Sequence, residues 1–476
     1  MPQARIEQPD MQASDMTALL ERQRAAFRAE PDPPRAIRDD RLRRLAALVK
    51  DGRARLAAAI AQDFGHRSVH ETLLLEAGPA LAAIRHARGH LKAWMRPQRR
   101  ASALEFLSVR NRVRYQPLGV VGILSPWNYP LFLALGPLVD VLAAGNRALL
   151  KPSEFTPAFN AALAEAVAAR FAPEEVALVQ GGVAEAEAFS RLPFDHLVFT
   201  GSTAVGRRVM AAAAPNLTPV TLELGGKCPV VLDGTWPLAR AARDIAIGKL
   251  LNAGQTCIAP DYVLAPRAVL RPLAEAILAE IRAMYPNGAQ DDGYTSVITA
   301  QHAGRLEGMV AEARDAGAEV LEAFAGDAAA RKLAPAIVID PPRDARLMRE
   351  EIFGPILPLI PCETAAEAAA FITAGERPLA LYVLSRDRGF REAILSRTQS
   401  GGVTLNGTIL HVAQTDLPFG GVGASGIGAY HGIEGFRRFS HARAIAEPLG
   451  PVNPMHLARP PFGALAKLLE RVFIGG

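Results

Sequence analysis

The run Val120-Val-Gly-Ile-Leu124-Ser-Pro-Trp-Asn128-Tyr-Pro130 sets the architecture of this chain. Its first five residues form a short apolar stretch closed by a proline-rich turn, the pattern of a buried strand with an abrupt stop. Similar apolar runs recur at 148–150, 176–179, 196–200 and 220–224, with helical segments between them. Strict alternation of this kind implies βαβ units with right-handed crossovers, hence a parallel doubly wound sheet. In such a sheet a ligand lies beyond the carboxyl ends of the strands. The turn after Leu124 is therefore a candidate wall of a binding site.

Outward from this core, a second α/β unit begins at 228–232, with helices near 270–284 and 300–316 and strands at 336–339, 356–360 and 379–384. A further strand at 402–406 is expected to return the chain to the first domain. Upstream, the first hundred residues read as packing helices. One carries Met16, Leu19, Leu20 and Phe27 at helical spacing with Ser14 as cap, and others span 34–49, 52–64 and 68–95. Between helices and sheet, residues 105–116 alternate apolar against basic, which predicts an exposed strand or hairpin. The tail after Pro448 is proline-rich and ends in a short amphipathic segment, 462–472.

A chain of 476 residues exceeds the size of a single core, and half hydrophobic with 21% charged residues is the balance of a globular enzyme. The net charge of +5 is spread along the chain. Its densest cluster, Arg96 to Arg100 followed by Arg110, Arg112 and Arg114, has too few aromatic neighbours for a nucleic-acid surface. It reads as a solvated or subunit-facing strip. The three cysteines, Cys228, Cys257 and Cys362, are far apart in sequence and cannot all pair, and no Cys/His group has metal-ligand spacing. The longest apolar run, 131–139, is well short of the ~20 residues that span a bilayer. These features predict a cytoplasmic protein with no metal, membrane or nucleic-acid partner.

Six places bear groups able to do chemistry. Cys257 follows a patterned helix, 236–251, that runs out at Gly254, a residue suited to the left-handed conformation of a helix end. The thiol then sits on a turn, where amides can face a developing oxyanion, although a free cysteine also packs as a small hydrophobe. Asn128, on the rigid turn, can donate to such an oxyanion. Glu223 is embedded in an apolar strand end, where burial should raise its pKa toward that of a general base; backbone amides could equally satisfy it. In Phe199-Thr-Gly-Ser-Thr-Ala-Val-Gly206, a strand gives way to a helix over 204–214, with Gly201 and with Ser202 or Thr203 as cap. That is either a pyrophosphate site or an ordinary capped helix. Lys151 and Glu154 end the second strand and can hold a ribose, or be solvated surface. Glu351 and Phe353 can hold a second ribose and a flat heterocycle, or form a plain turn. The one GxGxxG, 421–426, follows no strand and opens no helix, so it reads as a flexible loop.

Taken together and in this order, these motifs resemble the aldehyde dehydrogenase superfamily from the first helices to about Phe439. The likeness is to its class 3 branch and, within that, to the bacterial coniferyl aldehyde dehydrogenases. It rests on Phe199-Thr-Gly-Ser-Thr-Ala-Val-Gly206, Leu217-Thr-Pro-Val-Thr-Leu-Glu-Leu-Gly-Gly-Lys227, Gly254-Gln-Thr-Cys-Ile-Ala-Pro-Asp-Tyr262 and Leu417-Pro-Phe-Gly-Gly-Val-Gly423. Cys228 stands where relatives often carry serine.

The resemblance implies an α/β fold: a dinucleotide-binding domain over 1–104 and 117–223, a catalytic domain over 224–416, bridging or oligomerisation segments at 105–116 and 417–448, and a tail at 449–476. It implies Cys257 as nucleophile, Glu223 as general base and Asn128 as oxyanion donor. Gly201, Ser202 and Gly206 would form the pyrophosphate and nicotinamide loop, Lys151 and Glu154 the adenosine ribose site, and Glu351 with Phe353 the nicotinamide ribose site. The implied activity is oxidation of an aldehyde, coniferyl aldehyde to ferulate or another aromatic or medium- to long-chain one, through a cysteine thioester. NAD is the implied cofactor, with NADP possible, and a homodimer the implied assembly. Alternatives are an acylating enzyme using coenzyme A and an inactive relative. Tyr129, Ile409 and His411 are candidates for the tunnel wall.

Overall fold

The computed structural model describes residues 13–103, 106–450, 453, 455–456 and 459–475. Helices Ala13–Ala29, Arg35–Phe64, Val69–Thr72 and Gly78–Trp94 form the N-terminal layer, and a π turn, Leu73–Ala77, joins the last two. Ser14 lies inside the first helix, not ahead of it. Residues 34–49 and 52–64, read as two helices, are one helix of 30 residues. A glycine inside a helix costs only about 1 kcal/mol. That is less than the gain from burying Leu45, Leu48, Val49, Leu56 and Ile60 on the faces that span Gly52.

The first sheet has six strands in the order Gly426–Ile427, Val220–Leu224, His196–Gly201, Val120–Ser125, Arg147–Pro152 and Val176–Leu178. All but the two-residue edge strand are parallel. The chain enters at the centre, winds out to Val176–Leu178, then jumps back to His196–Gly201 on the other side. The strand order therefore reverses between Val120–Ser125 and His196–Gly201, and a crevice opens at their carboxyl ends. Helix Pro130–Ala144 packs on this sheet with nearly every side chain buried. Its first turn is capped by the buried Glu76 carboxylate of the π turn, which accepts from Leu131 N (2.8 Å) and Phe132 N (3.1 Å) and pairs with Arg67 at 2.7 Å.

The second sheet runs Glu319–Glu322, Ala336–Ile339, Ile356–Pro361, Tyr262–Ala265, Pro229–Leu232, Ala380–Leu384 and Gly402–Leu405, parallel except at its first strand. The strand expected to return the chain to the first domain is thus the edge of this sheet. Helix Arg388–Arg397 makes a short crossover, and such a unit sets its strand beside the one before it. Gly426–Ile427 makes the return instead, pairing antiparallel with Val220–Leu224.

A three-stranded antiparallel arm, Gln98–Arg100, Val109–Pro117 and Ser440–Pro448, completes the fold. Its basic strip is partly neutralised: Arg112 pairs with Glu447 at 3.1 Å and Arg114 with Asp32. The described tail ends in helix Ala464–Ile474. No helix among the described residues is long and apolar enough to cross a membrane.

Candidate active site

Helix Leu238–Leu250 delivers the chain to a turn in which Asn252, Ala253 and Gly254 all have positive φ (54°, 52° and 76°). Only Gly254 was expected to be left-handed. A Cβ at Gly254 would strike the Gly354 carbonyl, so no other residue fits there. Left-handed Asn252 and Ala253 cost roughly 1–2 kcal/mol each and persist only where the surroundings impose them. Asn252 N donates to Glu71 Oε1 at 2.8 Å, and Asn252 Nδ2 donates to the Asn128 carbonyl at 2.8 Å. Gln255 Nε2 reaches the carbonyls of Asn252 and Ser296, while Gln255 Oε1 accepts from Ile298 N at 2.9 Å. The turn bearing Cys257 is therefore braced from three other segments.

Asn128, Glu223 and Cys257 converge on one cavity of about 230 Å³, shared with Gly201, Glu351 and Phe353. Asn128 Nδ2 donates to the Gln255 carbonyl at 3.1 Å. Burial pushes the Glu223 carboxyl up to about 8; it accepts from the Tyr430 hydroxyl at 3.1 Å, and its other oxygen has no partner among the described residues. The Cys257 thiol is held protonated, by burial first and then by the nearby carboxyls of Glu223 and Glu351. The amides of Cys257 and Ile258 favour the thiolate but are outweighed. Beneath the turn, Cys228 Sγ donates to the Cys257 carbonyl at 3.4 Å and accepts from Ala380 N at 3.3 Å.

A second cleft of about 660 Å³ opens at the reversal of strand order, walled by Lys151, Glu154, Phe199, Gly201, Ser202 and Val205. Helix Thr203–Ala213 starts here with Ser202 as N-cap, its side chain accepting from Val205 N at 3.4 Å. The remaining first-turn amides have no partner within the helix, the condition under which a helix start can receive an anion. A Cβ on Gly206 would come within 2.6 Å of Leu224, so glycine lets helix and strand pack closely. Lys151 is buried, its Nζ donating to the carbonyls of Pro152 (3.0 Å) and Gly181 (2.8 Å), and Glu154 stands exposed at the mouth. Cleft, cation, acid and helix start fit a dinucleotide.

The 350–354 loop borders the smaller cavity through Glu351 and Phe353. Phe353 has φ 51° and meets Trp127 edge-on at 5.5 Å. Arg305 donates to the Glu351 and Ile352 carbonyls, and Asp261 accepts from Ile352 N at 3.0 Å. Burial and Asp261 push the Glu351 carboxyl up to about 8. The 421–426 segment is a tight turn: Val422 N donates to Ser425 Oγ at 3.0 Å, and a Cβ at Gly421 would strike the Ser425 carbonyl.

Several residues of this site had no reading from sequence. His302 and Arg305, three apart on helix Ala300–Asp315, line the smaller cavity, and their spacing was visible but ordinary. Glu71, Asn252, Gln255 and Tyr430 act through partners distant in the chain. Tyr129, Ile409 and His411 do not line either cavity; the Tyr129 hydroxyl instead bonds Thr256 Oγ1 at 2.8 Å.

Residues 3–445 match the pattern of the aldehyde dehydrogenase family. The chain belongs to that family. A probable coniferyl aldehyde dehydrogenase of Pseudomonas aeruginosa is 45% identical over 99% of this chain and 99% of its own length. A coniferyl aldehyde dehydrogenase of Pseudomonas sp. strain HR199 is 42% identical over 95% and 94%. Among solved structures, the substrate-bound state of Staphylococcus aureus AldH superposes with a TM-score of 0.92 at 33% identity, over 96% of this chain and 99% of that one. The protein is an NAD(P)-dependent aldehyde dehydrogenase with the α/β fold of that family.

Proposed function

We propose that this aldehyde dehydrogenase oxidises an aromatic aldehyde of the coniferyl type to its acid, with Cys257 as nucleophile, Asn128 as oxyanion donor and Glu223 as general base. The observation that carries the assignment is the convergence of these three side chains, from three segments, on one cavity. Cys257 releases its thiol proton to solvent, the thiolate sulfur attacks the aldehyde carbon, and the carbonyl oxygen is received by the Asn128 amide and the Cys257 N–H. The bound nicotinamide coenzyme supplies the hydride acceptor. With the adduct oxidised, Cys257 carries a thioester, and Glu223 takes a proton from the water that hydrolyses it. The Glu223 carboxyl is useful only when ionised, so turnover rises with pH toward about 8.

Lys151 and Glu154 are assigned to the adenosine ribose, Gly201, Ser202 and Gly206 to the pyrophosphate, and Glu351 with Phe353 to the nicotinamide ribose. NAD is favoured because Glu154 repels a 2′-phosphate; its exposure lets it swing aside for NADP. The coniferyl assignment is supported by the two Pseudomonas relatives. Hydrolysis is favoured over transfer to coenzyme A because a buried carboxyl faces the thiol, and an acylating route needs none. A homodimer joined through the basic arm is the assembly proposed.

The test is Glu223→Gln with a panel of aromatic and aliphatic aldehydes, each with NAD and NADP. One NADH per site should form, followed by a stall at the acyl enzyme. Steady wild-type turnover would place the base elsewhere, and acyl-CoA formed on adding coenzyme A would replace the hydrolytic reading.

A further inference from the structure

The return segment that closes the first sheet grips Glu223 from two sides. Gly426 lies opposite Glu223 in the antiparallel pairing, and Leu224 N donates to the Ser425 carbonyl at 3.0 Å, so the backbone of the strand end is fixed. Four residues further on, Tyr430 is 1% exposed, and its backbone exchanges two hydrogen bonds of 2.9 Å with Phe419. Its ring meets that of His431 edge-on at 4.9 Å. From this fixed position its hydroxyl donates to Glu223 Oε2 at 3.1 Å, while Glu223 Oε1 is buried with no partner among the described residues. Among the described residues no lysine or arginine pairs with Glu223. The titratable groups around it are Tyr430 from the return segment and, lining the same cavity, Cys257, Glu351, His302 and Arg305, with Asp140 of helix Pro130–Ala144 acting on the phenol.

We propose that Tyr430 is a positioning residue for thioester hydrolysis: its hydroxyl holds one oxygen of the Glu223 carboxylate and leaves the other to take the proton of water. The inference rests on Glu223 being the base. In the step, a water O–H bond breaks and its proton passes to Glu223 Oε1. The water oxygen bonds to the thioester carbon, and Cys257 sulfur departs with the C–S electron pair. The Tyr430 proton stays where it is. A donor held against a carboxylate favours the ionised form, opposing the burial that raises this group. Without the donor the carboxyl binds its proton more tightly, so the rising limb of the hydrolysis rate moves to higher pH. A hydrogen bond to an ionised group corresponds to about one to two pH units.

The experiment uses the full-length enzyme and follows decay of the acyl enzyme against pH in quenched single turnovers. In Tyr430→Phe the first NADH per site should form at the wild-type rate. The decay limb should move up by about one pH unit, slowing hydrolysis roughly tenfold at pH 7. Replacing Tyr430 with 3-fluorotyrosine, a stronger donor of nearly the same shape, should move the limb the opposite way. A purely structural role cannot produce shifts of opposite sign, and the fluorinated residue keeps the test open if the phenylalanine variant does not fold. An unmoved limb in the fluorotyrosine enzyme overturns the proposal. If Glu223→Gln stalls while the Tyr430 substitutions leave the limb in place, this inference alone fails. If Glu223→Gln turns over normally, the base assignment fails and this inference fails with it.

Discussion

Truncation of Asn128 probes the acylation half of the reaction with little collateral damage. Its amide carries two N–H donors, and one is committed to the Gln255 carbonyl at 3.1 Å. The other is available to a carbonyl oxygen in the cavity that Asn128 shares with Cys257. The residue is held at its backbone end too, because Asn252 Nδ2 donates to its carbonyl. The donor is thus pre-positioned, and ordering it costs nothing at the moment of reaction. Removing one such donor typically slows the chemical step 10²–10³-fold, about 3–4 kcal/mol. The structural cost is smaller. When Asn128 becomes alanine, the Gln255 carbonyl keeps the Asn252 Nδ2 bond at 3.2 Å, so the catalytic turn loses about 1 kcal/mol or less. Stopped-flow measurement of the NADH burst at saturating coenzyme should show a rate 10²–10³-fold below wild type, with coenzyme Kd within twofold and Tm nearly unchanged. Asn128→Asp should be at least as slow, because a carboxylate opposes the developing oxyanion. A burst rate within threefold of wild type in a well-folded Asn128→Ala enzyme would show that the oxyanion is held by other groups.

Three further substitutions test the surroundings. Gly225→Ala should weaken coenzyme binding at least tenfold in a titration of coenzyme fluorescence, because its Cβ would occupy the place of Glu351 Oε2; unchanged affinity would remove Glu351 from the coenzyme site. Glu154→Gln should raise kcat/KM for NADP several-fold more than for NAD, and equal effects would mean that Glu154 does not read the 2′ position. Asp140, pushed up to about 8 by burial, binds its proton more tightly folded than unfolded. The stability this confers is full below about pH 4 and is lost as pH rises through 8. Asp140→Asn, which keeps an acceptor for His431 N (3.0 Å), should therefore show a Tm that falls less between pH 6 and 9 than the wild type, and parallel curves would contradict the raised pKa.

What the sequence discloses here follows the range of the interactions involved. The four central strands of the first sheet are short, almost wholly buried runs closed by glycine or proline, so local pattern is enough to place them. Gly52 misleads for the same reason: local pattern registers a helix breaker, whereas continuity is decided by buried side chains on either side of it. Strand Gly402–Leu405 misleads because sheet partners are a non-local property. In the site, Gly201, Gly206 and Gly254 are legible because the lack of a side chain is itself what the position requires. Tyr430 is not, since the only sign of its role is a carboxylate 207 positions earlier. The proton affinity of Cys257 lies furthest from view. Its own turn provides amides that favour the thiolate. The thiol is instead held protonated because the sulfur itself is buried and, second to that, because two carboxyls from the ends of different segments lie beside it. Those carboxyls are themselves raised to about 8, so near neutral pH both are mostly protonated and their opposition to the thiolate is largely relieved. The proton affinity of the nucleophile is therefore set by burial and modulated by the protonation of its own general base, a property that belongs to the assembled cavity and to none of its motifs alone.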